Sequence, residues 1–120
     1  MAFRFRRADR LTRRADFVRA LRRGSAVREG SLLVHAAWNG LDRMRLGLRV
    51  SRAYGNAVAR NRAKRVLREV FRLWHAGALA ERGMDLVVRP QRGAEPSLEA
   101  WSRSLERGAA RAAAKLGRTT

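Results

Sequence analysis

The chain has 120 residues, which suits one compact domain, and its 46% apolar content can build a core, which excludes a disordered basic tail. Lys and Arg total 28 against 10 acidic residues, a net charge of +18; such a field repels copies of itself and attracts a polyanion. There is no cysteine, so disulfides and thiolate metal sites are excluded, and no apolar run approaches a membrane span. No secretory h-region follows the basic start at Met1 to Arg7, which points to the cytoplasm. Arginine supplies all the positive charges but two, Lys64 and Lys115; its planar fork grips phosphate bidentately and stacks on bases.

Residues 1–11 read as a basic extended arm, with Phe3, Phe5 and Leu11 as anchors. A first helix follows. Thr12 is expected to cap it, Phe17, Val18 and Leu21 give its apolar positions, and Gly24 ends it. Ser31 to Trp38 reads as a strand, Asn39-Gly40 as a turn, and Leu46 to Ser51 as a second strand with Leu46, Leu48 and Val50 on one face. Together these predict a hairpin. Arg52 to Asn56 is a polar connection.

A long helix is predicted from Ala57 to Trp74, with Ala59, Ala63, Val66, Leu67, Val70, Phe71 and Trp74 recurring at spacings of three and four. Gly77 and Gly83 bound a short segment. Asp85 to Arg89 holds a third strand, stopped by Pro90. Ser97 caps a last helix with Leu98, Trp101, Leu105 and Leu116 on one side and a basic, alanine-rich end. The order of elements predicts one α+β domain over 1–120, with a basic arm at 1–11 and a basic tail at 108–120.

The informative element is the long helix. Arg60, Lys64, Arg68 and Arg72 form one column, and Asn61 and Arg65 the next. From Arg52 to Arg72 there are seven positive residues and one negative, Glu69. A solvated face would mix signs for pairing four residues apart. Like charges stacked at that spacing cost stability, and an anionic partner relieves the cost.

The run Gly47-Leu48-Arg49-Val50-Ser51, then Gly55-Asn56-Ala57-Val58-Ala59-Arg60-Asn61-Arg62-Ala63-Lys64-Arg65 and Arg68-Glu69, closely resembles the bacterial ribonuclease P protein family. Its Arg-Asn-Arg motif is matched by Arg60-Asn61-Arg62. Phe5-Arg6-Arg7, Asp16-Phe17 and Asp85-Leu86-Val87-Val88 extend the likeness over about residues 5–107. The resemblance implies an α/β sandwich of order αβββαβα with a left-handed βαβ crossover. It implies the protein subunit of a ribozyme that removes the 5′ leader of precursor tRNA.

Catalysis would then lie with the RNA subunit and its Mg²⁺, with no catalytic or metal-holding residue in the protein. Arg60, Asn61, Arg62, Lys64, Arg65 and Arg68 would contact the catalytic RNA. Phe17, His35, Arg49, Arg52 and Arg89 would line a cleft for the single-stranded leader of precursor tRNA, with Arg92 at its rim and Tyr54 as a nearby aromatic surface. Leu21 and His35 stand where many members carry aromatics. The rival class is a basic ribosomal-type RNA-binding protein. No DNA partner is expected, since no helix-turn-helix or zinc spacing occurs, and no membrane partner, since the apolar face of the long helix is needed for a core.

Overall fold

The computed structural model describes residues 10–74 and 83–117. Phe3, Phe5, Gly77 and the last three residues of the basic tail lie outside them. The elements run α1 (Arg14–Arg23), β1 (Ser25–Glu29), β2 (Leu32–Trp38), β3 (Arg45–Leu48), a short 3-10 turn (Arg52–Tyr54), α2 (Ala57–Trp74), β4 (Met84–Pro90) and α3 (Leu98–Leu116). This is the expected order αβββαβα.

The four strands form one mixed sheet in the order β1-β2-β4-β3, with β4 antiparallel to β2 and parallel to β3. The expected hairpin between β2 and β3 does not form, because β4 lies between them. The reason is burial. Met84 to Val88 is buried at every position, so β4 must be covered on both faces and flanked on both edges. Asn39-Gly40 accordingly opens a longer loop. Asn39 donates to Arg43 O at 3.1 Å and to Asp85 Oδ1 at 2.8 Å, and its own Oδ1 accepts from Leu41 N.

The hairpin that does form joins β1 and β2, with Ser25 opposite Ala36 and Glu29 opposite Leu32. Gly30 makes the turn at φ +55°. The two faces of the sheet then divide the molecule. Val34, Ala36, Leu46, Leu86 and Val88 face α2 and α3 and meet Leu67, Phe71, Trp101 and Leu105 in the main core. Trp101 Nε1 donates to Ser31 Oγ at 2.9 Å, which satisfies the buried indole. Ala37 and Val87 face the other way and meet Leu11 and Ala20, with Phe17 and Leu21 partly buried against them. This smaller cluster seats α1.

Three local readings change. Arg13 rather than Thr12 precedes α1, and no side chain caps it. The Arg13 carbonyl already accepts from Asp16 N and Phe17 N, which leaves Thr12 one residue too early. Leu98 is 44% exposed, so the apolar side of α3 begins at Trp101. Tyr54 is buried, with its hydroxyl donating to Ala94 O at 2.6 Å; it locks the turn before α2 and offers no aromatic surface. Ser97 does cap α3, accepting from Ala100 N at 3.1 Å. The alanine-rich end of α3 is docked: Ala109, Ala112 and Ala113 are buried, and Lys115 Nζ donates to Ala26 O at 2.8 Å.

Candidate nucleic-acid interface

The end of the arm is tied to β3, because Leu11 N donates to Leu46 O at 2.9 Å and Leu11 is buried. That bond turns the chain into α1 beside the free edge of β3. Phe17 then comes to lie on β3. The strand carries Gly47 there, and a β-carbon at Gly47 would stand 2.7 Å from the Phe17 ring. Only a glycine lets the ring approach so closely. Phe17 is thus partly buried on one side and open on the other.

Three hollows meet along β3. The first, about 520 Å³, lies between α1 and the end of β3 and is lined by Thr12, Arg14, Phe17, Val18, Leu21 and Arg49. The second, about 160 Å³, is lined by Arg10, Leu11, Phe17, Leu46, Leu48, Lys64 and Arg68. The third, about 270 Å³, is lined by Leu48, Arg49, Val50, Ser51, Lys64 and Arg89. Phe17 belongs to the first and second, Arg49 to the first and third, and Lys64 to the second and third. The result is a trough of mixed lining, with Phe17, Leu46 and Leu48 as apolar parts and Arg49, Lys64, Arg68 and Arg89 as cations.

His35 shares this face of the sheet. It stands opposite Val87, which stands opposite Gly47. Burial, with Arg89 and then Arg49 nearby, pulls the His35 imidazole below its ordinary pKa. The ring is therefore neutral at neutral pH and does not add to the repulsion of the two arginines. Its Nε2 is buried with no hydrogen-bond partner among the described residues. Arg52 sits apart, exposed on the turn after β3, and Arg92 is exposed in the loop after β4.

The basic helix supplies a second surface. Arg65 and Arg68 point away from the core and are exposed. Together with Arg10, Val66, Glu69, Arg72 and Leu98 they ring a hollow of about 530 Å³ with a largely apolar floor. Burial, and then the charge of Arg10, hold the Arg68 guanidinium below its ordinary pKa. Arg72 is the exception in the column, neutralised by Glu69 through bonds of 2.8 and 2.6 Å.

Arg60 donates back to Gly55 O at 2.8 Å and so braces the start of α2. Asn61 is exposed between Arg60 and Arg62. Arg62 does not join the others. It lies about 200° around the helix from Lys64 and pairs with Glu95 at 3.0 Å on the side toward α3. Of the leader-cleft residues, then, Phe17, His35, Arg49 and Arg89 share one face of the sheet and Arg52 does not join them. Of the helix residues, Lys64, Arg65 and Arg68 share one flank and Arg62 faces the other. Thr12, Arg14 and Val18 line the trough as well, beyond the residues that the resemblance implies. Arg14 and Val18 are legible in the sequence beside Phe17 and Leu21, since Arg14, Phe17, Val18 and Leu21 follow helical spacings of three, four and seven.

The sequence profile of the Ribonuclease P family matches residues 5–113. The chain belongs to the ribonuclease P protein family. The ribonuclease P protein component of Thermotoga petrophila is 38% identical over 88 residues, spanning 73% of this chain and 74% of that one. That of Oleidesulfovibrio alaskensis is 45% identical over 96 residues, spanning 75% and 72%. Among solved structures, the RNase P protein of Staphylococcus aureus superposes with a TM-score of 0.75 at 33% identity, over 88% of this chain and 96% of its own. The RNase P protein of Thermotoga maritima gives 0.68 at 30% identity, over 82% and 92%. The chain is therefore a protein component of ribonuclease P, a ribonucleoprotein enzyme of tRNA processing, and the ribosomal-type alternative falls away.

Proposed function

We propose that the chain divides its work between two adjoining surfaces. The flank of α2 carrying Lys64, Arg65 and Arg68 grips the catalytic RNA. The trough between α1 and β3 takes the single-stranded 5′ leader of precursor tRNA. The observation that carries this reading is the shared edge: Lys64 stands on α2 and also lines two of the three hollows along β3. An RNA held on the helix and a strand held in the trough would thus lie side by side.

The trough suits a single strand of any sequence. A nucleobase can stack on the open side of Phe17, while Arg49 and Arg89 meet the backbone phosphates. Neutral His35 lies on the same face of the sheet, in the row of Gly47.

Mg²⁺ bound to the catalytic RNA would supply the activated water and stabilise the leaving group. Among the described residues no three acidic or histidine side chains come together, and Asp16 and Asp85 are engaged by Arg19 and Arg45. The chain's contribution is to bind and orient, in the cytoplasm where precursor tRNA is made. No described helix is long and apolar enough to cross a membrane.

Phe17→Ala tests the division. It is expected to leave affinity for the catalytic RNA unchanged and to weaken the holoenzyme's binding of precursor tRNA, relative to mature tRNA, by about 1–3 kcal/mol. Circular dichroism and paired binding titrations check it. A variant that keeps full precursor preference would remove the leader from this trough.

A further inference from the structure

Helix α1 forms one wall of the trough, yet its apolar seat is small. Ala20 is its one fully buried side chain, and Phe17 and Leu21 are partly buried on Leu11, Ala37 and Val87. Apolar contact is non-directional, so such a seat holds the helix down without fixing where it lies. Bidentate ionic bonds are directional.

A set of such bonds borders the seat. The Asp85 carboxylate on β4 has no exposed surface. Its Oδ1 accepts from Arg45 Nε and Asn39 Nδ2, both at 2.8 Å. Its Oδ2 accepts from Arg45 Nη2 at 2.8 Å and Arg19 Nη2 at 3.0 Å. Asp16 of α1 closes the network, 3.3 Å from Arg19 and 3.5 Å from Arg45. Two residues of α1 are thereby tied to β3 and β4. A buried carboxylate tolerates little loss of its partners, so the network favours one arrangement. Asp16 immediately precedes Phe17. Arg45 lies two residues before Gly47, on which the Phe17 ring rests, and Asp85 lies two residues before Val87. The ionic row and the Phe17 row are neighbouring rows of one sheet face.

We propose that Asp16, Arg19, Arg45 and Asp85 are positioning residues for leader capture: the network sets where α1 lies on the sheet, and thereby the pose of Phe17. The proposal rests on the leader reading of the trough. Asp85→Asn alters a fully buried group and is expected to lower the melting temperature, so Asp16→Asn is the deciding variant.

The experiment reconstitutes the holoenzyme and measures its affinity for precursor and mature tRNA and the protein's affinity for the catalytic RNA. Asp16→Asn is expected to reduce the preference for precursor by about three- to tenfold with affinity for the catalytic RNA unchanged. Asp16→Glu, which keeps the charge, should restore the preference. Because the network acts through Phe17, Asp16→Asn with Phe17→Ala should be no worse than Phe17→Ala alone. Full preference in Asp16→Asn, beside a loss in Phe17→Ala, would reduce the network to a purely structural one. Multiplied losses in the double variant would overturn the link to Phe17. Full preference in Phe17→Ala would instead remove the leader reading, and the proposal with it.

Discussion

Replacing Arg65 and Arg68 together by alanine is expected to weaken assembly with the catalytic RNA about a hundredfold or more at low salt. Both residues are exposed, on the flank of α2 that faces away from the core. A charge-assisted hydrogen bond contributes about 1.5–3 kcal/mol, and about 1.4 kcal/mol is tenfold in affinity, so two such contacts account for that loss. The slope of log K against log salt should also become shallower by about 0.7–0.9 for each phosphate contact removed. The fold should not suffer, since the substitutions relieve the crowding of Arg68 against Arg10. Arg62→Ala is the internal comparison. Its partner is Glu95 on the other flank, at an exposed pair that contributes little to stability, and its effect on assembly should be the smaller one. Binding measured across a salt titration, with melting temperatures alongside, checks all of this. An unchanged slope in the Arg65/Arg68 variant would place the RNA elsewhere.

The second large effect concerns where the chemistry happens. The protein alone is expected to cleave nothing. Mixed with the catalytic RNA, it should raise the rate of leader release at low Mg²⁺ by at least about tenfold. Two polyanions must be held together, and the net charge of +18 offsets their repulsion where divalent ions are too few to do so. High Mg²⁺ screens the same repulsion, so the benefit should shrink as Mg²⁺ rises. Leader-release rates with and without protein across a Mg²⁺ titration decide the matter. A stimulation that is constant at every Mg²⁺ concentration would point to a role unrelated to charge.

Much of the fold is legible in the sequence where burial is one-sided and periodic. Helix α2 runs from Ala57 to Trp74 as its three-and-four spacing demands, and Ser97 caps α3 because its side chain can reach the third amide of the helix. Strand β1 is different. It has five residues at the edge of the sheet, of which Val27 alone is buried, so it carries almost no pattern. The hairpin expected between β2 and β3 fails for a related reason. Asn39-Gly40 is a strong local turn signal, but the unbroken apolar run Leu86-Val87-Val88 marks a strand buried on both faces, and that global demand prevails over the local one.

The interface divides in the same way. The cations of α2 are visible as a column because a helix brings them together from adjacent turns. Phe17, His35, Arg49 and Arg89 come from four different elements, and their sharing one face depends on the register of β2, β3 and β4. Family resemblance pointed to them; periodicity did not. The Asp85 network was out of reach of any local reading, since its partners Arg19 and Asp85 are 66 residues apart.

In the proposed arrangement one protein holds two different RNAs on adjoining surfaces. Site-specific photocrosslinking in the assembled holoenzyme with precursor tRNA bound tests it most directly. A photoreactive side chain is placed at Arg65 on α2 in one sample and at Thr12 in the trough in another, and the attached RNA is sequenced. The account predicts catalytic RNA on position 65 and leader nucleotides on position 12. Leader on position 65, or position 12 attached to catalytic RNA with no leader, would contradict it.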